Sequence, residues 1–334
     1  MMRVTLPGVL TGALAAGMMA VPLILDDANR SAYILCLLAV VVVVGLTLLM
    51  GHAGQASFGQ AAYYAIGAYT AALVALAGVP TWIALLLSPV ISACVALAIG
   101  LALLRLRGFY LSFATIALHL ILLALLGSAE WAGGDIGLPG IPKLSVFGFT
   151  FDSALKFSYL AFVAVASTLF FSHRLVKSRF GRGFRSLSTS EAAAESCGVP
   201  VFRFKVLVFA ISAALAGMAG GLYAFFVGYV SPGSFPLLLS FQFVVMSLIG
   251  GARSWVGPAI GGALLSVLMH LLNVAGTLPG MPVYAPTVLT YGAFGALVIL
   301  FAIFFSDGLS RPLVVNSGRQ SHEKRRLFAR PRWL

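Results

Sequence analysis

Charge is what this sequence has least of: Asp, Glu, Lys and Arg together make up 9% of its 334 residues. A soluble domain carries about 25%. Hydrophobic residues reach 60%, and the mean hydropathy is +1.03. A chain so poor in charge cannot cover a water-facing surface, so most of its solvent must be lipid. Cysteine is also scarce. Cys36, Cys94 and Cys197 are an odd number, with no C-x-x-C pair, and read as free thiols. Catalytic signatures are missing as well. There is no H-E-x-x-H and no G-x-S-x-G, and His52, near Gln55 and Ser57, has no carboxylate close by to orient it. No Gly-Lys pair occurs anywhere, which excludes the phosphate loop G-x-x-x-x-G-K-[ST]. The chain reads as a non-enzyme that needs no cofactor or metal of its own.

The apolar runs lack charge in the one place where charge would mark coupling to ions. Ionisable groups inside a bilayer are costly and usually serve proton or ion pathways. No Asp, Glu, Lys or Arg lies near the middle of any run, and only His119 and His270 fall well within them. A lone histidine there reads as a hydrogen-bonded packing residue. Transport driven by a proton or sodium gradient is disfavoured; either the energy comes from outside the chain or the protein is a passive channel.

What is present is a series of apolar runs. A span takes about twenty mostly apolar residues. Such runs fall at 7–25, 31–50, 59–79, 81–104, 109–128, 156–172, 205–229, 237–252, 256–275 and 286–306. The fold class expected is therefore an all-α polytopic membrane protein of about ten transmembrane helices, some of them broken. The first run reads as a retained span rather than a cleaved signal, because no clean small-x-small site precedes Asp26-Asp27. The transmembrane domain is expected over 1–306, and 307–334 form a basic tail.

Basic residues set the sidedness. With the N-terminus in the cytoplasm, all but three of the 21 Lys and Arg fall in cytoplasmic connectors; Arg30, Lys143 and Lys156 are the exceptions. Five acids, Asp26, Asp27, Glu130, Asp135 and Asp152, lie in external connectors. Both termini are then cytoplasmic, in an inner membrane. The net charge of +12 follows this alternation and does not mark nucleic-acid binding. The basic tail contacts anionic lipid.

Five segments carry more than hydropathy. Gly51-His52-Ala53-Gly54-Gln55-Ala56-Ser57-Phe58-Gly59-Gln60 is too rich in glycine for a continuous helix. It reads either as a broken backbone beside a water-lined path or as a plain cytoplasmic turn. Arg105 to Thr115 opens a span, with Tyr110, Ser112 and Thr115 adding polar groups suited to interhelical hydrogen bonds. Gly133 to Pro142, with Gly134, Gly137 and Gly140, cannot be helical and reads as an external lip. The connector 173–204 is basic, with Arg182 and Arg185. Its short Ala/Glu helix starts at Glu191, continues through Ala193 and Ala194, and stops at Gly198 and Pro200. Such a capped surface helix has the form of a docking knob. Gly217/Gly221 and Gly257/Gly261 are G-x-x-x-G spacings, which are packing signals.

Together these segments resemble the permeases of branched-chain amino-acid ABC importers, in the LivM-like branch. The likeness runs from about residue 30 to 309. It rests on Gly51, Ala53, Gly54, Gln55, Ser57 and Gly59; on Arg107, Gly108, Tyr110 and Thr115; and on Gly133, Gly134, Gly137, Leu138, Gly140, Ile141 and Pro142. It continues through Phe180, Gly181, Arg182, Arg185, Ala193, Ala194 and Gly198. It ends with Ser212, Ala213, Ala216, Gly217, Ala219 and Gly220, then Gly250, Gly251, Gly257, Pro258 and Gly261.

The resemblance implies an ABC importer permease fold. It implies a heterodimer with a second permease, two cytoplasmic ATPase subunits that bind the ATP, and a periplasmic substrate-binding protein. Arg182, Arg185, Glu191, Ala193, Ala194 and Gly198 are then the expected coupling residues, and Gln55, Ser57, Tyr110 and Thr115 the expected translocation-path residues. Urea and amide importers use permeases of the same superfamily and are the alternative. A passive channel or secondary carrier ranks below both.

Overall fold

The computed structural model describes residues 21–23, 25–106, 108–251, 254, 256–277, 282 and 285–304. The first predicted span falls almost wholly outside these residues, as do Arg107 and the tail 307–334. Nine helices occupy the other nine predicted spans: α1 (Asp27–Thr47), α2 (Gln60–Leu76), α3 (Thr81–Leu103), α4 (Phe109–Ser128), α5 (Ala154–Lys177), α8 (Val201–Val227), α9 (Leu237–Gly250), α10 (Gly257–Gly276) and α11 (Ala285–Phe304). Two short helices, α6 (Arg179–Thr189) and α7 (Glu191–Ser196), lie in the basic connector. Seven helical stretches among the described residues are long and apolar enough to cross a membrane, while α2 is shorter, at 17 residues.

The centre of the bundle is built from α1 and α8, which are deeply buried, with α2, α3 and α9 packed on them. α3, α4 and α10 bury a smaller share of their residues than α1 and α8, and leave much apolar side-chain surface uncovered. Close approach of α8 to α2 and α3 depends on small residues. A Cβ added at Gly220 would lie 2.0 Å from the Tyr64 carbonyl oxygen. One at Gly67 would lie 2.1 Å from the Gly217 carbonyl oxygen, and one at Gly217 2.2 Å from Ser92 Oγ. No side chain fits at these contacts. The predicted packing role of Gly217 is thus given a physical basis. The Gly257/Gly261 signal acts the same way, with a Cβ at Gly261 reaching 2.0 Å from the Met246 carbonyl oxygen.

α5 runs to Lys177, five residues past the predicted end of its span. Its last turns are basic, and Arg174 lays its guanidinium over the Phe170 ring at 5.1 Å. A long cationic side chain can keep its stem on apolar surface while its head reaches water, so the charges do not end the helix. The chain is also not purely helical. Leu138–Pro139 pairs antiparallel with Tyr229–Val230, and Ser145–Val146 with Phe149–Thr150. These strands lie at the end of the bundle opposite α6 and α7. Glycine and proline break helix formation there, and the freed backbone groups find partners across the two loops.

Candidate functional site

The glycine-rich segment after α1 is a true break in the helix. A π-helical turn, Leu48–His52, ends α1, and residues 53–59 are irregular before α2 starts at Gln60. The segment is no solvated turn: Ala53, Gln55, Ser57, Gly59 and Gln60 are buried. Irregular backbone inside a membrane protein needs partners from neighbouring elements, and three helices supply them. Thr115 Oγ1 of α4 accepts the Phe58 N–H at 3.0 Å, and Ser112 Oγ donates to the Ala56 carbonyl at 3.5 Å. Ser240 Oγ of α9 accepts the Ala61 N–H at 3.0 Å. Gln60 Nε2 donates to the carbonyl and hydroxyl oxygens of Ser212 on α8, at 2.9 and 3.0 Å.

His119 completes this network. Its Nε2–H donates to the Phe235 carbonyl at 3.1 Å, and its Nδ1 shares a hydrogen bond of 3.2 Å with the Ser240 hydroxyl. The carbonyl can only accept, so the Nε2 position carries a proton. The residue is fully buried and belongs to packing, the role its isolation in the sequence predicts. His270, on α10, meets Asn29 Oδ1 at 3.0 Å near the other end of the bundle.

Two polar side chains in the break stay outside the network. Both polar atoms of the Gln55 carboxamide and the Ser57 hydroxyl are buried with no hydrogen-bond partner among the described residues. A buried polar group left unpaired costs about 1–3 kcal/mol. Their neighbours show that this segment can pair its groups, so the exceptions stand out.

The basic connector packs against the same break. Gly54 has φ +69°, and a Cβ there would lie 3.1 Å from Ser188 Cα on α6. α6 itself is absent from the sequence expectations, because two glycines in eleven residues argue against a helix. Tertiary contact overrides that preference. Gly181 sits against the Val176 carbonyl, and Gly183 against the Phe204 ring, where a Cβ would come within 2.2 Å of either. The Ser178 hydroxyl caps the first turn, and Phe184 is fully buried. Arg185 folds back, donating from Nη2 to the Val176 carbonyl at 3.2 Å and from Nε to the Gly181 carbonyl at 3.3 Å. It braces the α5–α6 corner. Arg182 is exposed on α6.

α7 starts where the sequence places it. The Ser190 hydroxyl accepts the Ala193 N–H at 3.3 Å as the N-cap. Ala194 packs inward, while Ala193 is exposed. The helix ends at Gly198, whose φ of +76° only glycine adopts without strain. Glu191 forms an ion pair with Lys205 of α8. That lysine side chain is 8% exposed and the glutamate 36%. A buried ammonium is expensive alone, so the glutamate explains how Lys205 is tolerated. Sequence reasoning counted Lys205 only as a membrane-edge charge. A separation of fourteen residues leaves no local spacing that could have paired them.

The break, α4, α7 and α8 enclose a cleft of roughly 610 Å³. Gln55, Ser112, Glu191 and Lys205 are its polar lining, and Phe58, Phe109, Phe113, Ile116 and Phe241 form much of its apolar wall. Two groups predicted separately, the path residues around Gln55 and the docking helix at Glu191, therefore meet in one place. Ser57, in the buried break, and Thr115, on α4, lie beside it. Tyr110 does not join them; it is 76% exposed on the outer face of α4.

The glycines Gly134, Gly137 and Gly140 lie at the far end. All three have positive φ, and a Cβ at Gly137 would fall 2.2 Å from the Val230 carbonyl oxygen. The Tyr229 hydroxyl donates to the Ile136 carbonyl and ties the two loops. Nearby, the Lys156 ammonium holds the Asp152 carboxyl below the usual carboxylate range, through a hydrogen bond of 2.7 Å.

A bundle of apolar helices with an interrupted helix, a buried polar break and a capped helix at one end defines a polytopic membrane permease. The chain belongs to the family described as the permease component of the branched-chain amino acid transport system, whose model matches residues 29–302. It is 32% identical over 309 residues to the high-affinity branched-chain amino acid transport permease LivM of Salmonella typhimurium, covering 84% of this chain and 70% of that protein. It is 31% identical over 264 residues to LivM of Escherichia coli, covering 72% and 62%. A probable branched-chain amino acid transport permease, LivH of Methanocaldococcus jannaschii, is 29% identical over 291 residues, covering 84% and 89%. No solved structure matches the chain.

Proposed function

We propose that this chain is the permease subunit of an ABC importer that carries branched-chain or related hydrophobic amino acids inward. Its expected assembly is a heterodimer with a second permease, two cytoplasmic ATPase subunits that hold the ATP, and a periplasmic binding protein that delivers the substrate. Ten spans over residues 1–306, with both termini and the tail 307–334 in the cytoplasm, fit the distribution of basic residues. The external loops carrying Gly134, Gly137 and Gly140 would then face the delivery protein.

The observation that carries the reading is the placement of α7. A six-residue helix capped by Ser190 and stopped at Gly198 leaves most of its residues exposed, yet its first residue is ion-paired to the start of α8. Force applied to α7 by ATPase closure would pass directly into α8 and the cleft. This is a rigid-element route between two arrangements of the bundle. Arg182, exposed beside α7, offers a charge to the same docking partner.

The test is reconstitution of the complex with its ATPases and partner permease in proteoliposomes, supplied with binding protein and labelled leucine. ATP-dependent uptake by the wild type is expected. The Gly198→Pro, Glu191→Arg double variant is expected to lose its ATPases on purification. ATPase binding without leucine movement would turn the substrate toward urea or amides. Uptake without ATP would sink the importer reading.

A further inference from the structure

The cleft has a chemical character that the transport reading does not assign. It holds one anion and one cation side by side, Glu191 and Lys205, against a wall of aromatic and aliphatic side chains. A ligand bearing a single charge would satisfy one of them and take from the other its ion-pair partner; for Lys205, 8% exposed, that loss is costly. A ligand bearing both charged groups on one carbon can answer both. The wall beyond the pair consists of Phe58, Phe109, Phe113, Ile116 and Phe241, with Phe58 and Phe241 in ring contact at 5.2 Å. Gln55, also lining the cleft, is 4% exposed, and its carboxamide lacks any hydrogen-bond partner among the described residues. The volume, roughly 610 Å³, lies within the ordinary range for small-molecule sites.

We propose that this cleft is a second, release-side binding site for an α-amino acid with an apolar side chain, with Lys205 taking its carboxylate and Glu191 its ammonium. The wall takes the side chain, and Gln55 offers an amide to the polar head. Binding exchanges the Glu191–Lys205 ion pair for two pairs to the ligand. Because Glu191 is the first residue of α7, the occupied cleft loosens the link between α7 and α8. Amino acid accumulated on this side would then oppose further turnover. The proposal rests on the importer reading for the side it faces and deepens that reading by giving the cargo a site within the permease.

The experiment uses the whole complex in lipid nanodiscs, without nucleotide and without binding protein. Saturation-transfer NMR reads binding of L-leucine, isovalerate and isoamylamine. These share one side chain and carry both charges, the anion alone and the cation alone. Leucine should give a signal, and each single-charge analogue should bind at least about tenfold more weakly. Phe113→Ala, at a side chain 67% exposed and so not needed for folding, should weaken leucine binding while leaving the assembled complex intact.

The charge-exchanged variant, Glu191→Lys with Lys205→Glu, separates a site from a latch. It keeps an ion pair but reverses the charges facing the ligand, so it should assemble and fail to bind leucine. Leucine binding by that variant at wild-type strength would reduce the pair to a structural latch and overturn the proposal. So would equal signals from all three probes, or no leucine signal from the wild type. ATP-driven uptake by the wild type from outside is measured in parallel. Its loss alone would speak against the importer reading instead.

Discussion

The seam between α8 and its neighbours and the break between α1 and α2 are both rich in small residues, but glycines join helices in the seam and interrupt one in the break. In the seam, glycines let backbones touch and the serine hydroxyls are used, although the Tyr63 hydroxyl, on a ring packed against Phe209 of α8, is buried without a hydrogen-bond partner among the described residues. Ser88 Oγ bonds the Ala84 carbonyl and Ser92 Oγ the Tyr63 carbonyl. In the break, glycines interrupt the helix, and Gln55 and Ser57 are left buried without partners. The seam holds the helices together by close backbone contact, whereas the break places two unpaired side chains beside the cleft, which makes it the candidate site.

Substitution in the seam should be the most damaging. Gly220→Val would drive side-chain atoms into the Tyr64 carbonyl, where even a Cβ lies at 2.0 Å. Both sides are backbone and cannot yield, so a loss of about 3 kcal/mol or more is expected. Fluorescence-detected size exclusion should show aggregated or absent protein. A monodisperse, thermally unchanged variant would break the comparison on the seam side.

Thr115→Val should come next. It keeps the shape but removes the acceptor of the Phe58 N–H. A buried donor left unpaired costs about 1–3 kcal/mol, so the thermal midpoint should fall while the complex still assembles. Gly54→Ala should be milder. The backbone there sits at φ +69°, beside Ser188 at 3.1 Å, and about 1 kcal/mol of strain is expected. Because this contact joins the break to α6, coupling should suffer more than stability. A raised ATPase rate with lowered uptake per ATP is the expected result.

Much of this was legible in the sequence. Nine helices lie at predicted spans because a lipid-facing helix needs an unbroken apolar run, and such a run is visible without knowing any neighbour. α7 was legible for a similar reason: Glu191, Gly198 and Pro200 act within one short stretch. The break was visible in Gly51, Gly54 and Gly59, but its burial was not. Nothing local says that Thr115, Ser240 and Ser212 come from three other helices to serve it. α6 was hidden because its glycines are tolerated only through contacts with Val176 and Phe204. The Glu191–Lys205 pair was hidden because the partners face each other across a turn of chain that has no periodic spacing. Tyr110 shared a motif with Thr115, yet the two side chains leave α4 on different faces.

The comparison is tested most directly at Gln55. Gln55→Leu replaces an unpartnered buried amide with an apolar group of similar size. Thermal stability and ATP-driven leucine uptake should be measured on the same preparation of the reconstituted complex. The account predicts that stability holds or rises, by about 1 kcal/mol, while uptake falls at least about tenfold. Wild-type uptake in a stabilised variant would mean that the unpaired amide serves no purpose in transport, and would contradict it.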